Sequence, residues 1–107
     1  MNEVPQITAS DFQSHREANP TSVVIDVRDH EKFEEGHIPT AIHIHKTKIA
    51  QEIADIVPDK TTEIFCYCGD GQSGPRTAEL LNELGYSNAK AIDGGYRAYK
   101  ASTGEKE

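Results

Sequence analysis

Apolar positions follow two rhythms that alternate along the chain. Ser22 to Val27 is a β-branched run whose near-continuous apolarity suits a strand covered on both faces. Glu63 to Cys68 is a second run of this kind. Ala41 to Ile44 and Ala89 to Ile92 are shorter strand candidates, and Ile7 can begin another. Helical spacing appears in between. Ile49, Ile53, Ala54, Ile56 and Val57 recur at that period until Pro58 stops them. Pro75 fits the first helical position, and Ala78, Leu80, Leu81 and Leu84 continue the pattern until Gly85 ends it. Ser10 to Gln13 is a capping-box pattern, which predicts a helix from Ser10 to near Pro20. Asp29 caps a short helix through Glu35 with Gly36 at its C′ position, and Gly95 to Lys100 begins the last helix.

Strands alternating with helices of this length imply an α/β fold with right-handed βαβ crossovers and a mainly parallel sheet. Sites in such sheets form beyond the carboxyl ends of the strands. No repeat or low-complexity linker interrupts the pattern, so residues 1–107 are expected to be one domain, with Ala101 to Glu107 as a frayed tail.

Charge narrows the function classes. Eleven Lys and Arg stand against 18 Asp and Glu, a formal net charge of −7, which argues against nonspecific binding to nucleic acid or an anionic membrane. No apolar run approaches the roughly 18 residues that span a bilayer. The opening MNEVPQITASDF lacks the basic region and apolar core of a signal peptide, so a reducing cytoplasm is the expected setting. Cys66 and Cys68 are the only cysteines; they are expected to point to opposite faces of an extended segment, and a disulfide-stapled scaffold is excluded.

The segment Cys68, Gly69, Asp70, Gly71, Gln72, Ser73, Gly74, Pro75 carries the candidate chemistry. A cysteine ends a strand, a glycine-rich loop follows, and a helix begins. Glycines let successive backbone N–H groups turn inward as an anion nest, and the helix N-terminus adds partial positive charge. Such a cradle favours a thiolate, the nucleophilic form of the side chain. The commoner fate of a free cysteine is to pack as a small hydrophobe. Cys66, predicted mid-strand, has none of these features and reads as packing, with a redox role as the minor reading.

Four motifs in order resemble a single rhodanese-like domain. Ile25-Asp26-Val27-Arg28, followed by Gly36-His37-Ile38-Pro39-Thr40-Ala41, is similar to the family's first signature, in which Gly usually stands at the place of Thr40. Tyr67-Cys68-x-x-Gly71 resembles the active-site loop, and Gly85-Tyr86 with Asp93-Gly94-Gly95-Tyr96-x-Ala98-Tyr99 resembles the closing motifs. The resemblance implies a five-stranded parallel sheet with helices on both faces and a persulfide cycle on Cys68. The thiolate takes the sulfane sulfur of a donor such as thiosulfate, the amides of the loop Gly69, Asp70, Gly71, Gln72 and Ser73 hold the persulfide, and cyanide or a thiol accepts the sulfur. Cys68 to Ser73 is a six-residue loop, as in the sulfur-handling members. Phosphatase relatives have one residue more and end in Arg, where this chain has Gly74. Two departures weaken the expected attraction for thiosulfate: Ser73 replaces the commonest Arg, and Asp70 adds negative charge. Arg76, in the first turn of the helix, either compensates in part or points elsewhere.

Other residues read more plainly. His37 falls on the His-Ile-Pro signature and is expected to be structural. His43 and His45 share a strand face, but zinc needs three or four convergent ligands, so no metal or other cofactor is expected. Asp26 and Arg28 share a strand side and read as a brace beneath the loops rather than as direct participants. Glu31, Glu34 and Glu35 read as a solvated helix face, and Tyr96 and Tyr99 as core or loop-supporting aromatics. Lys46 and Lys48 lie on the same edge as the loop; they can attract an anionic donor or simply aid solubility. There is no nucleotide fingerprint and no basic stripe interleaved with aromatics. The favoured expectation is an enzyme serving a small anionic sulfur donor and a thiophilic acceptor. The alternative is a carrier module that receives sulfur from a protein partner with little small-molecule turnover.

Overall fold

A computed structural model describes residues 5–69 and 72–103 of the chain. Five strands, β1 (Gln6–Ile7), β2 (Val23–Asp26), β3 (Ile42–His43), β4 (Ile64–Tyr67) and β5 (Ala89–Ile92), alternate with five helices, α1 (Ala9–Ala18), α2 (His30–Glu35), α3 (Ile49–Ile56), α4 (Gly74–Glu83) and α5 (Gly95–Thr103). The strands pair in parallel in the order β1-β5-β4-β2-β3. β4 is thus central, flanked by β2 and β5, and its four residues are all buried. This is the buried-on-both-faces pattern that the apolar run around Phe65 predicts.

Strand alternation divides the core in two. Ile64, Cys66 and Cys68 face a layer containing Ile49 and Ile53 of α3 and Ala78 and Leu81 of α4. Phe65 and Tyr67 face the opposite layer with Phe12 of α1 and Tyr99 of α5. Helices therefore cover both faces. Cys66 and Cys68 share one face, which corrects the expectation that they oppose each other: side chains two apart in a strand point the same way.

Local boundaries shift for identifiable reasons. α1 starts at Ala9, because Thr8 Oγ1 accepts the Asp11 amide at 3.1 Å; the cap is Thr8 and not Ser10. Asp29 occupies the N-cap position of α2 but makes no side-chain cap bond. Its carboxylate instead accepts from His45 Nε2 at 2.9 Å. Pro75 stands at the second helical position, since α4 begins at Gly74. α5 runs through Thr103, three residues into the stretch expected to fray.

The amino end of the sheet is closed by a polar knot. Glu63, 8% exposed, accepts from Lys90 Nζ at 3.0 Å and Asn19 Nδ2 at 3.2 Å and lies 3.3 Å from His15 Nδ1. Burial alone would raise the Glu63 carboxyl pKa, yet these three partners hold it below its usual value. The carboxyl end of the sheet is where the chain leaves a cleft.

Candidate active site

Cys68 immediately follows β4, and its side chain is 6% exposed. α4 begins six residues later, and its first turn is turned toward the sulfur. Sγ accepts the backbone N–H of Ser73 at 3.2 Å and that of Gly74 at 3.3 Å. These are amides that an α-helix leaves without internal partners, so they are available to a negative group. The turn at Gly74 lies against the end of the strand, where a Cβ would stand at ordinary contact distance, 3.6 Å from the Tyr67 Cα and 3.7 Å from the Cys68 N. Thr77 Oγ1 donates to Ser73 O at 3.2 Å and helps fix the turn.

The backbone of Cys68 is held from the other side. The Tyr96 amide donates to Cys68 O at 2.8 Å and the Arg97 amide to Gly69 O at 3.0 Å. The first turn of α5 thus docks on the two residues that open the loop. Gly94 and Gly95, with φ of 77° and 61°, make the reversal that points it there.

Asp26 and Arg28 form the expected brace. Asp26 is fully buried and Arg28 Nη2 lies 2.7 Å from its Oδ2, with Nε donating to both carboxylate oxygens at 3.0 and 3.1 Å. Tyr67 Oη donates to Asp26 Oδ2 at 2.8 Å and accepts the Ile38 amide at 3.1 Å. Arg28 Nη2 also donates to Gly36 O at 2.6 Å, and the guanidinium lies 4.5 Å from the Tyr96 ring centroid. Burial works against the Arg28 charge, but the bonds to Asp26 outweigh it and hold its pKa above the ordinary arginine value. Burial pushes Tyr67 well above the usual phenol range, so its hydroxyl stays protonated and can donate. The group binds β2, β4, the chain after α2 and α5 beneath the sulfur.

Cys66 is buried and fully enclosed; its Sγ lies 3.5 Å from both Gly74 O and Lys90 O. Burial first, and the neighbouring Cys68 second, push its thiol up to about 12. Both cysteines are free thiols.

A cleft of about 1250 Å³ opens over Cys68, Gly69, Gln72 and Ser73. Arg28, Lys32, Lys46, Arg97 and Lys100 line it, against the carboxylates of Asp29 and Glu35. A chain with a formal net charge of −7 therefore presents a cationic mouth among the described residues. Lys46 belongs to this wall, while Lys48 and Arg76 do not. Asp70 and Gly71 lie outside the described residues. Lys32, Arg97 and Lys100 carry no motif, and only their positions on α2 and α5 bring them to the site.

None of the histidines lines the cleft. His37 stacks on Phe33 at 3.9 Å and its Nδ1 bonds Phe33 O at 2.8 Å, a local brace at the end of α2. His43 Nε2 donates to Arg28 O at 2.7 Å. Among the described residues no three His, Cys, Asp or Glu gather to hold a metal ion, and no helix is long and apolar enough to cross a membrane.

The chain is similar to known proteins in sequence and in fold. The model of the rhodanese-like domain matches residues 8–102. The chain is 33% identical over 102 residues to the thiosulfate sulfurtransferase GlpE of Pseudomonas savastanoi pv. phaseolicola, covering 95% of this chain and 92% of that one. It is 34% identical over 70 residues to the thiosulfate sulfurtransferase PspE of Escherichia coli K12, covering 65% and 67%. Among solved structures, the rhodanese-like domain of the Anabaena protein Alr3790 superposes with a TM-score of 0.83 at 27% identity, over all of this chain and 80% of that one.

Proposed function

The chain belongs to the rhodanese-like domain family, and we propose that it is a thiosulfate sulfurtransferase working through a persulfide on Cys68. One observation carries the mechanism. The Cys68 sulfur faces two convergent amides, Ser73 and Gly74, at the start of α4 and at the floor of the cationic cleft.

The steps follow from that geometry. An anionic donor is drawn into the cleft by its lysines and arginines. The Cys68 thiolate attacks the sulfane sulfur of thiosulfate, the donor's S–S bond breaks, and sulfite leaves with the bonding pair. The persulfide that remains carries negative charge on its outer sulfur, and the amides around the loop stabilise it without reorganising. Gly69, Gln72 and Ser73, together with Asp70 and Gly71, would form this cradle. Cyanide or a thiolate then attacks the outer sulfur, the Cys68 S–S bond breaks, and the thiolate returns. No cofactor enters this cycle.

Asp26, Arg28 and His37 act beneath the site rather than on the substrate. Arg28 is engaged by the Asp26 carboxylate and the Gly36 carbonyl, which leaves it a supporting part. Two free thiols suit a reducing compartment such as the cytoplasm.

Intact mass after incubation with thiosulfate tests the reading. A gain of about 32 Da, one sulfur, is expected on the wild type and not on Cys68→Ser. Thiocyanate formation on adding cyanide completes the cycle. Persulfide acquired only from a partner protein, with no turnover of thiosulfate, would instead make the chain a sulfur carrier.

A further inference from the structure

The buried face of α4 carries one side chain that packing alone does not call for. Gly74, Thr77, Ala78 and Leu81 are its buried positions, spaced as the inner stripe of an amphipathic helix. Only Thr77 among them has a polar side chain. It is 4% exposed, and a hydroxyl removed from water costs free energy unless it finds a partner. The partner is Ser73 O, to which Thr77 Oγ1 donates at 3.2 Å. A threonine within a helix often bonds the carbonyl four residues back, so the bond by itself is ordinary. The peptide unit on which it lands is not.

Ser73 O and the Gly74 N–H are the two ends of one planar peptide unit, and they point in opposite directions. At one end Ser73 O accepts twice, from Thr77 Oγ1 at 3.2 Å and from the Thr77 amide at 3.1 Å. At the other end the Gly74 amide donates to Cys68 Sγ at 3.3 Å. Hydroxyl, peptide and sulfur therefore form one hydrogen-bonded chain. A bond accepted by the carbonyl polarises the unit and strengthens its N–H as a donor. Two bonds at the carbonyl also fix the plane, so the N–H stays aimed at the sulfur. The Ser73 amide, which meets the same sulfur at 3.2 Å, belongs to the preceding peptide unit. Cys66 Sγ lies 3.5 Å from Gly74 O, which belongs to the following one. The Thr77 hydroxyl alone acts on the unit between them.

We propose that Thr77 is a positioning residue for the Cys68 nucleophile, acting through the Ser73–Gly74 peptide to stabilise the thiolate. The inference rests on the reading of Cys68 as the nucleophile and extends it to a side chain that does not line the cleft. Its influence falls on the reactivity of the sulfur and not on the capture of a donor.

The test follows alkylation of Cys68 by iodoacetamide, located by peptide mass, beside sulfur gain from thiosulfate. Thr77→Val, close in shape but without the hydroxyl, is expected to slow alkylation at pH 7 roughly 2- to 5-fold. At pH 10, where a thiol ionises with or without the bond, it should approach the wild type. Single-turnover sulfur gain at saturating thiosulfate should fall by a similar factor, with the KM unmoved. Thr77→Ser keeps the hydroxyl and should recover most of both rates. Thr77→Ala also lacks the hydroxyl and should repeat the loss, which separates the hydroxyl from any misfit of valine. The Cys66 thiol and every charged group of the cleft wall are the same in all these proteins. A wild-type alkylation rate at pH 7 in either hydroxyl-free variant, with a cooperative thermal melt, overturns the proposal; so does an equal loss in Thr77→Ser. A wild type that gains no sulfur from thiosulfate would overturn the sulfurtransferase reading instead, and the alkylation comparison would still decide the role of Thr77.

Discussion

The Tyr96 amide and the Cys68 carbonyl meet at 2.8 Å, which attaches the last helix to the residue that carries the candidate nucleophile. Cys68 is therefore gripped twice. Its carbonyl is held by α5, and its sulfur is addressed by the amides at the start of α4. Neither grip leaves a composition signal. The two helices reach the same residue only because β4 and β5 are neighbours in the sheet.

The two cysteines should separate in their reactivity. Cys68→Ser should abolish persulfide labelling, and Cys66→Ser should retain most of it. Iodoacetamide at pH 8 should modify one cysteine per folded chain and two once the chain is unfolded. Modification of Cys66 before Cys68 would reverse the assignment.

Burial of Cys66 also predicts a loss of stability at alkaline pH. Its thiol is raised from 9.0 to about 12 in the folded chain, so the folded state holds a proton that the unfolded state releases between those values. The contribution is fully present below pH 9 and is lost as pH rises toward 12, at up to about 1.4 kcal/mol per pH unit. Tyr67, also raised by burial, adds to the same slope above its ordinary value of 10. Urea unfolding at pH 8 and pH 10.5 should show the fall, and Cys66→Ala should make it shallower. An unchanged slope in that variant would contradict the account.

Arg28→Ala should destabilise the fold by about 3 kcal/mol, because it strands the Asp26 carboxylate in a site with no exposure. Arg28→Lys should recover little, since one ammonium cannot span both carboxylate oxygens and the Gly36 carbonyl. Denaturant midpoints at constant m would measure both.

Thr40 has φ +71°, a left-handed conformation that costs a β-branched residue more than glycine. Thr40→Gly should relieve it. Part of the gain is offset by the greater freedom of glycine in the unfolded chain, so about 1 kcal/mol of added stability is expected, seen as a Tm higher by several degrees. A lower Tm would show that Thr40 makes a contribution outweighing its strain.

Ser73→Arg should lower the KM for thiosulfate roughly two- to tenfold by adding a cation at the cleft floor, and high salt should shrink the gain. Its own amide would still face Cys68. Unchanged kinetics at low salt, with the fold intact, would show that the loop's charge does not limit donor use.

The sheet and the strand-to-helix turn that carries Cys68 are legible because each rests on a local pattern. Ser22 to Val27 and Glu63 to Cys68 can hardly be anything but buried strands, and a cysteine followed by glycines and a proline marks a strand-to-helix turn. The cap of α1 is Thr8 and not Ser10: both carry a hydroxyl, and only the path of the backbone decides which meets an amide. Cys66 and Cys68 share a face because a strand repeats every second residue. Asp29 was expected to cap its own helix; a histidine 16 positions away competes for it. The cationic mouth could not be read from the sequence, because Lys32, Lys46, Arg97 and Lys100 become neighbours only when α2, the chain after β3 and α5 fold onto one edge.

The knot around Glu63 has a consequence for how such a chain can diversify. Glu63 ties α1, β4 and β5 at the edge of the sheet opposite the cleft. Anchorage and reading of the substrate thus occupy opposite ends of the same strands. A lineage could exchange Lys46 or Arg97 in the cleft wall for other side chains while the knot went on holding the far end unaltered. Substitutions in the knot should be purged whatever the substrate, whereas those at the mouth should be filtered only by what must enter.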